Sequence, residues 1–159
     1  MTGNCWHERA CSIERYVSHC IHSFRRIGAR ITQSRRSVVS CLASASEPLS
    51  PQEIFDRITA GGGVKVDKVT VYRVLEALLE LQLVHRVPPM GKYIACMHFE
   101  SDGVYHVLSR CTQCEKVTEQ DVPKELVSSL FLHLKRKAHF EANTHLLTIE
   151  GICETCVSS

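Results

Sequence analysis

Two Cys-x-x-Cys pairs, Cys111/Cys114 and Cys153/Cys156, constrain this chain more than any other feature. Two such knuckles supply the four thiolates of a closed tetrahedral zinc site, which needs no further ligand and is therefore structural. The 38 residues between the knuckles exceed the spacing usual in compact zinc ribbons. The ion is expected to join the start and the finish of a small domain and to hold the C-terminal third of the chain together.

Other uses of these cysteines fit less well. A Cys-x-x-Cys pair also serves thioredoxin-like redox chemistry, but neither pair sits in a convincing βαβ unit. A disulfide framework requires export, and the N-terminus lacks an apolar signal core behind a basic start. No run is long and apolar enough to span a membrane. The nine cysteines are an odd number, which disfavours complete pairing. A reducing cytoplasm is the expected compartment.

The net charge of +2 is more informative when divided along the chain. Residues 1–96 hold 13 Lys/Arg against 8 Asp/Glu, whereas residues 97–159 hold 6 against 9. A basic first part beside an acidic, cysteine-bearing second part suggests that the first touches a polyanion and the second controls it.

Local patterns then define the basic part. Ile31, Val38, Val39 and Leu42 recur at helical spacing behind a Thr32 cap. Ser50-Pro51-Gln52-Glu53 combines an N-cap, a first-turn proline and a third-position carboxylate, and so reads as a capping box. The helix it opens turns Ile54, Phe55 and Ile58 inward, and Gly61-Gly62-Gly63 ends it. Asp67 caps a third helix with an apolar stripe of Val71, Val74, Leu75, Leu78 and Leu79. Arg73 then lies on the opposite face, flanked by Thr70 and Tyr72.

Two β-rich runs, Leu83–Val87 and Lys92–Cys96, flank the turn Pro88-Pro89-Met90-Gly91 and read as a hairpin. Three helices and a hairpin make a winged helix, whose third helix enters the major groove of DNA while Lys92 and Arg86 on the wing lie along the backbone or minor groove. Arg73 offers a bidentate fork to guanine, and Tyr72 a contact to a thymine methyl or a phosphate. The expected DNA contacts are Thr70, Tyr72 and Arg73 with Lys68, Lys92 and Arg35.

Thr70-Val71-Tyr72-Arg73, the entry Ile31-Thr32-Gln33-Ser34-Arg35, Val84-His85 before the wing and the two cysteine knuckles together resemble the ferric uptake regulator superfamily. The resemblance covers about residues 20–157. Within it, His85 and the wing strand Tyr93-Ile94-Ala95-Cys96 are most similar to the zinc uptake regulator branch. The resemblance implies an α+β fold in two parts. Residues 1–96 form a winged-helix DNA-binding domain, with a helical extension at 1–28, and residues 97–159 a small α/β dimerisation domain carrying the four-cysteine zinc site. It also implies the function of a zinc-responsive repressor that binds pseudo-palindromic operator DNA as a homodimer when zinc-loaded and controls zinc uptake genes. No membrane and no small-molecule substrate are expected.

Sensing implies a second zinc per chain, at a site distinct from the four thiolates. By the resemblance its ligands are His85 and Cys96 from the first domain with His106 and Glu119 from the second. One thiolate, two imidazoles and one carboxylate suit tetrahedral Zn²⁺ better than Fe²⁺. The chain departs from the ferric-type pattern just before the first knuckle, where Asp102-Gly103-Val104-Tyr105-His106-Val107-Leu108-Ser109 retains a single histidine. His98 is then a rival for the imidazole position, and His145 with His106 and Glu119 a third ligand set that competes for His106. His133 and His139 read as a solvated helix face and its end.

The acidic part reads as strand, strand, helix, strand. Strands cover Tyr105–Arg110 and Lys116–Gln120. Pro123 opens a helix with Leu126, Val127, Leu130, Phe131 and Leu134 inward and Lys135-Arg136-Lys137 in its last turn. Thr144–Ile152 returns to the second knuckle. So small a domain cannot cover these apolar faces alone, and a twin is expected to do so. In the extension, Cys5, His7, Cys11, His19, Cys20 and His22 are possible metal donors, but Ile13, Tyr16, Val17, Cys20, Ile21 and Phe24 fit an amphipathic helix packed on the winged helix.

Two other classes stay open. An enzyme needs an open metal position or a nucleophile with its base, and no such set is visible. A zinc-binding redox or storage protein explains the cysteines but not Thr70-Val71-Tyr72-Arg73 on a basic face. Within the regulators, the rivals sense iron, manganese, nickel or peroxide.

Overall fold

The computed structural model describes residues 5–97, 104–142 and 146–158, with side chains from Ser12 in the first span and from Tyr105 in the second. The chain divides into two compact units, Met1–Phe99 and Glu100–Ser159.

The first unit contains four helices and a hairpin: α1 (Cys5–Arg26), α2 (Gln33–Ser44), α3 (Pro51–Ala60), α4 (Lys68–Glu80), β1 (Val84–Val87) and β2 (Lys92–Ala95). Side-chain caps set three of the helix starts. Thr32 accepts from Arg35 N, Asp67 from Thr70 N, and Ser50 from Glu53 N, while the Glu53 carboxylate accepts from Ser50 N at 2.6 Å. Each cap satisfies a backbone N–H that the first turn leaves unpaired.

The four helices close on one core. Val38, Val39 and Leu42 of α2, Ile54 of α3, and Val71, Val74, Leu75 and Leu78 of α4 are buried together with Tyr16, Cys20 and Phe24 of α1. α1 is therefore an integral wall of the unit. Cys20 lies within that core, where burial pushes its thiol up to about 12. It is an apolar filler and not the metal donor its neighbours in sequence suggest.

The hairpin is tied to this core by one carbonyl. Tyr16 Oη donates to Leu83 O at 2.6 Å across 67 residues of sequence, and Cys96 N donates to the same oxygen at 3.1 Å. The strands pair Val84 with Ala95 and Val87 with Lys92, around a turn in which Gly91 takes a positive φ of 63°. Leu49 bridges Tyr93 on the outer side of β2. Three helices and a paired hairpin are the arrangement of a winged helix, with α1 added in front.

The second unit contains β3 (Val104–Cys111), β4 (Val117–Pro123), α5 (Lys124–Ala138), β5 (Leu146–Gly151) and the single turn α6 (Glu154–Val157). The sheet order is β4-β3-β5, with β4 antiparallel and β5 parallel to the central β3. Tyr105 meets Phe131 of α5 edge to face at 5.4 Å between centroids. Alternation along β3 then turns His106, Leu108 and Arg110 away from that helix. Arg110 donates to Glu150 Oε1, its register partner on the adjacent strand, through two nitrogens at 2.7 and 3.1 Å.

The expected inward set of α5 needs correction. Val127 is buried and Phe131 and Leu134 are half-buried, but Leu126 is 66% and Leu130 47% exposed. One sheet face accepts only one side of a helix, so these leucines form a second apolar stripe.

The shared carboxylate of the capping box yields a test. Hydrogen bonds from Ser50, helped by Lys92, hold Glu53 down at about 2. Its stabilising contribution is thus complete above the ordinary carboxylate range and is lost as pH falls from about 4.5 toward 2. Ser50→Ala should cost about 1 kcal/mol in urea unfolding at neutral pH. Glu53→Gln should flatten the loss of stability between pH 4.5 and 2; an unchanged acid profile would show that Glu53 does not hold the cap.

Candidate metal centres and nucleic-acid interface

The parallel pairing of β3 and β5 assembles the four-cysteine cluster. Cys111 ends β3, Cys114 follows in the turn, and Cys153 and Cys156 flank the chain just past β5, with Cys111 opposite Gly151 in the ladder. The four sulfurs lie within 4.8 Å of one another. A Zn–S bond of about 2.3 Å sets tetrahedral S···S edges of roughly 3.8 Å. Cys114 Sγ and Cys153 Sγ are 3.7 Å apart.

The electrostatics of the cluster call for a cation. The backbone N–H groups of Cys114, Cys153 and Gln113 favour the Cys111 thiolate and draw its thiol down to about 6. The Cys156 N–H, first among several neighbours, lowers Cys153. Cys156 is pushed up to about 12 by its neighbours Cys153 and Cys114, because sulfurs this close cannot all carry negative charge unaided. A dication supplies the missing charge, and an all-thiolate set suits zinc and excludes the hard cations.

The second expected set draws on both units, and each contributes a pair. In the first unit, His85 lies on β1, within the β-rich run Leu83–Val87. Its register partner is Ile94, and Cys96 follows β2 opposite Leu83, which puts His85 and Cys96 on the same face of the hairpin. Both are buried, and an imidazole nitrogen of His85 lies within 4.8 Å of Cys96 Sγ. In the second unit, His106 on β3 is buried, and its Nδ1 lies 3.3 Å from Glu119 Oε1 on β4. His98 and His145 lie outside the described residues.

Sequence reading missed Asp121, whose Oδ1 is also 3.3 Å from His106 Nδ1. The signal was available: Glu119 and Asp121 are two apart on a strand and must share a face, and Asp121 pairs directly with His106. In the N-terminal extension, His22 is exposed, and the side chains of Cys5, His7 and Cys11 lie outside the described residues.

The α4 surface presents Lys68, Val69, Tyr72 and Arg73 to solvent, with Tyr72 51% exposed. The other expected DNA contacts are partly engaged within the unit. Thr70 Oγ1 donates to Asp67 Oδ2 at 2.9 Å and belongs to the cap. Lys92 Nζ donates to Glu53 Oε1 at 3.2 Å. Arg35 Nη1 donates to Arg30 O, and its guanidinium lies over Phe24 at 4.6 Å from the ring centroid. Arg35 therefore braces α2 against α1.

A family model described as the ferric uptake regulator family matches residues 26–156. The chain belongs to the ferric uptake regulator family. That family consists of transcription regulators and not enzymes. The peroxide-responsive repressor PerR of Staphylococcus aureus (strain USA300) is 25% identical over 146 residues, covering 91% of this chain and 94% of its own. Among solved structures, a zinc uptake regulator complexed with zinc and DNA is similar with a TM-score of 0.74 at 23% identity, covering 92% of this chain and 95% of its own. Holo XcZur is similar with a TM-score of 0.70 at 25% identity, covering 90% and 99%. The fold is thus that of the zinc uptake regulators. Among the described residues, no helix is long and apolar enough to cross a membrane.

The four-cysteine geometry predicts that Cys111→Ser removes one equivalent of tightly held metal and unfolds the second unit, since such sites contribute folding free energy directly. Metal analysis by mass spectrometry and amide exchange of β3 and β5 would check this. Full protection of β3 in the variant would rule out a structural role.

Proposed function

We propose that this chain is a zinc-responsive transcription repressor that binds operator DNA as a homodimer when zinc-loaded and controls zinc uptake genes. Residues 1–96 are its DNA-reading domain, and residues 97–159 its dimerisation domain, with the protein acting in the cytoplasm. The observation that carries the reading is the thiol of Cys96 beside His85 on the hairpin that follows α4. Together with His106 and Glu119 these residues form the regulatory site, while Cys111, Cys114, Cys153 and Cys156 hold the structural zinc. A thiolate among imidazoles and a carboxylate selects Zn²⁺ over Fe²⁺ or Mn²⁺. A regulatory ion that binds the DNA-competent dimer more tightly than other forms shifts the equilibrium toward it, and the coupling is reciprocal.

DNA is read by α4. Tyr72 and Arg73 project from its exposed face with Lys68 at its start, and the solved zinc uptake regulator bound to zinc and DNA supports this reading. Lys92 adds less than a free wing lysine, because Glu53 already neutralises much of its charge. Dimerisation is supported by the second apolar stripe of Leu126 and Leu130 on α5 and by exposed Ile149 on β5, an edge strand of its sheet. Two-fold symmetry presents two α4 helices to a pseudo-palindrome.

A peroxide-responsive reading draws support from the PerR relatives. It requires an iron site rich in oxygen and nitrogen, which a cysteine ligand opposes. The two are separated by titrating the dimer, with its four-cysteine site loaded and its second metal removed, with Zn²⁺, Fe²⁺ and Mn²⁺ and measuring affinity for operator duplexes. Zn²⁺ alone should promote tight binding. His85→Ala and Cys96→Ala should remain folded dimers with one zinc per chain and lose zinc-dependent binding; operator affinity equal to that of the parent would exclude these residues as the sensor.

Arg73→Ala should cost about 1–3 kcal/mol at one base position and relax specificity there. Binding curves on operator and scrambled duplexes at several salt concentrations give the answer. Equal weakening on both would make Arg73 a phosphate contact only.

A further inference from the structure

We propose that Asp121 is a positioning residue for His106: its carboxylate holds the Nδ1 side of the imidazole and leaves Nε2 as the ligating nitrogen. This rests on the reading of His85, Cys96, His106 and Glu119 as the regulatory site.

Three observations converge. His106 and Asp121 are direct partners in the antiparallel β3–β4 ladder, so their side chains leave the same face of the sheet from adjacent points. Asp121 Oδ1 and Glu119 Oε1 each lie 3.3 Å from His106 Nδ1. The two carboxylates differ in setting: the Glu119 side chain is 6% exposed and that of Asp121 31%.

A neutral imidazole carries one N–H, so Nδ1 can donate to only one of two oxygens. A nitrogen that donates cannot also ligate. If Glu119 gives its oxygen to the ion, Asp121 is the carboxylate left for the Nδ1 proton, the 3.3 Å ion-pair separation closing to a hydrogen bond when the metal binds. A metal-ligating histidine gains orientation, a fixed tautomer and greater basicity from such a partner, and loss of the partner weakens metal binding roughly 10–100-fold. Strand pairing makes the arrangement rigid, because neither backbone can move away without breaking the ladder.

The test uses the full-length dimer with the four-cysteine site loaded. In the wild-type protein, long-range ¹⁵N–¹H correlation of the zinc-loaded His106 ring should show the proton on Nδ1 and the metal on Nε2. The metal on Nδ1 would overturn the proposal without any variant. Asp121→Ala and Asp121→Asn should bind the second zinc roughly 10–100-fold more weakly in competition with a chelator. Both should keep the first zinc, the dimer and, with Co²⁺ in the second site, the absorption of a four-coordinate ion. Asp121→Glu, which retains the carboxylate, should recover most of the affinity. Unchanged affinity in Asp121→Ala would overturn the proposal, as would a lower Co²⁺ coordination number, which would make Asp121 a ligand. Cys96→Ala separates the two claims. If it binds the second zinc as the wild type does, the regulatory-site reading itself fails; if it loses that zinc while Asp121→Ala does not, only the positioning role falls.

Discussion

Electrostatic repulsion among four convergent sulfurs is the constraint on which the second unit depends. Its sheet has three strands and one covering helix, and much of its apolar surface faces outward on α5 and β5. Burial alone contributes little in so small a body. The parallel β3–β5 pair is also a contact between distant segments, and the Arg110–Glu150 pair beside the knuckles is partly exposed and so of modest strength. A dication that neutralises the thiolates closes the loop from Cys114 to Cys153 and makes the register of β3 with β5 a condition of its own binding. The placement of His106 on β3 then follows from the same closure.

Much of this was legible in the residues. The helix starts were, because Thr32, Ser50 and Asp67 each announce a local hydrogen bond that forms as written. The four-cysteine cluster was legible because two knuckles imply one ion wherever the chain lies between them. The Tyr16–Phe24 stripe likewise pointed to a packed helix, and it decided the fate of Cys20 among several nearby donors.

What escaped depended on neighbours distant in sequence. Arg35 and Lys92 read as free cations, since nothing local reveals that Phe24 lies beneath one or that the capping carboxylate of α3 reaches the other. Leu126 and Leu130 read as inward because helical periodicity marks apolar positions without saying how many surfaces they face. Asp121 was missed because its meaning arises from strand pairing with His106, and register is a tertiary property.

The double acceptance at Leu83 O has a consequence for the order in which the first unit is made. α1 leaves the ribosome early, but the carbonyl that Tyr16 binds belongs to a residue synthesised 67 positions later. Until then the Tyr16–Phe24 face leans on the helices already made, α2 first among them, and contacts closed across such separations come late in folding. The same closing step sets the oxygen to which Cys96 N–H is anchored. The hairpin cysteine therefore gains its final position only when α1 and the hairpin of its unit meet.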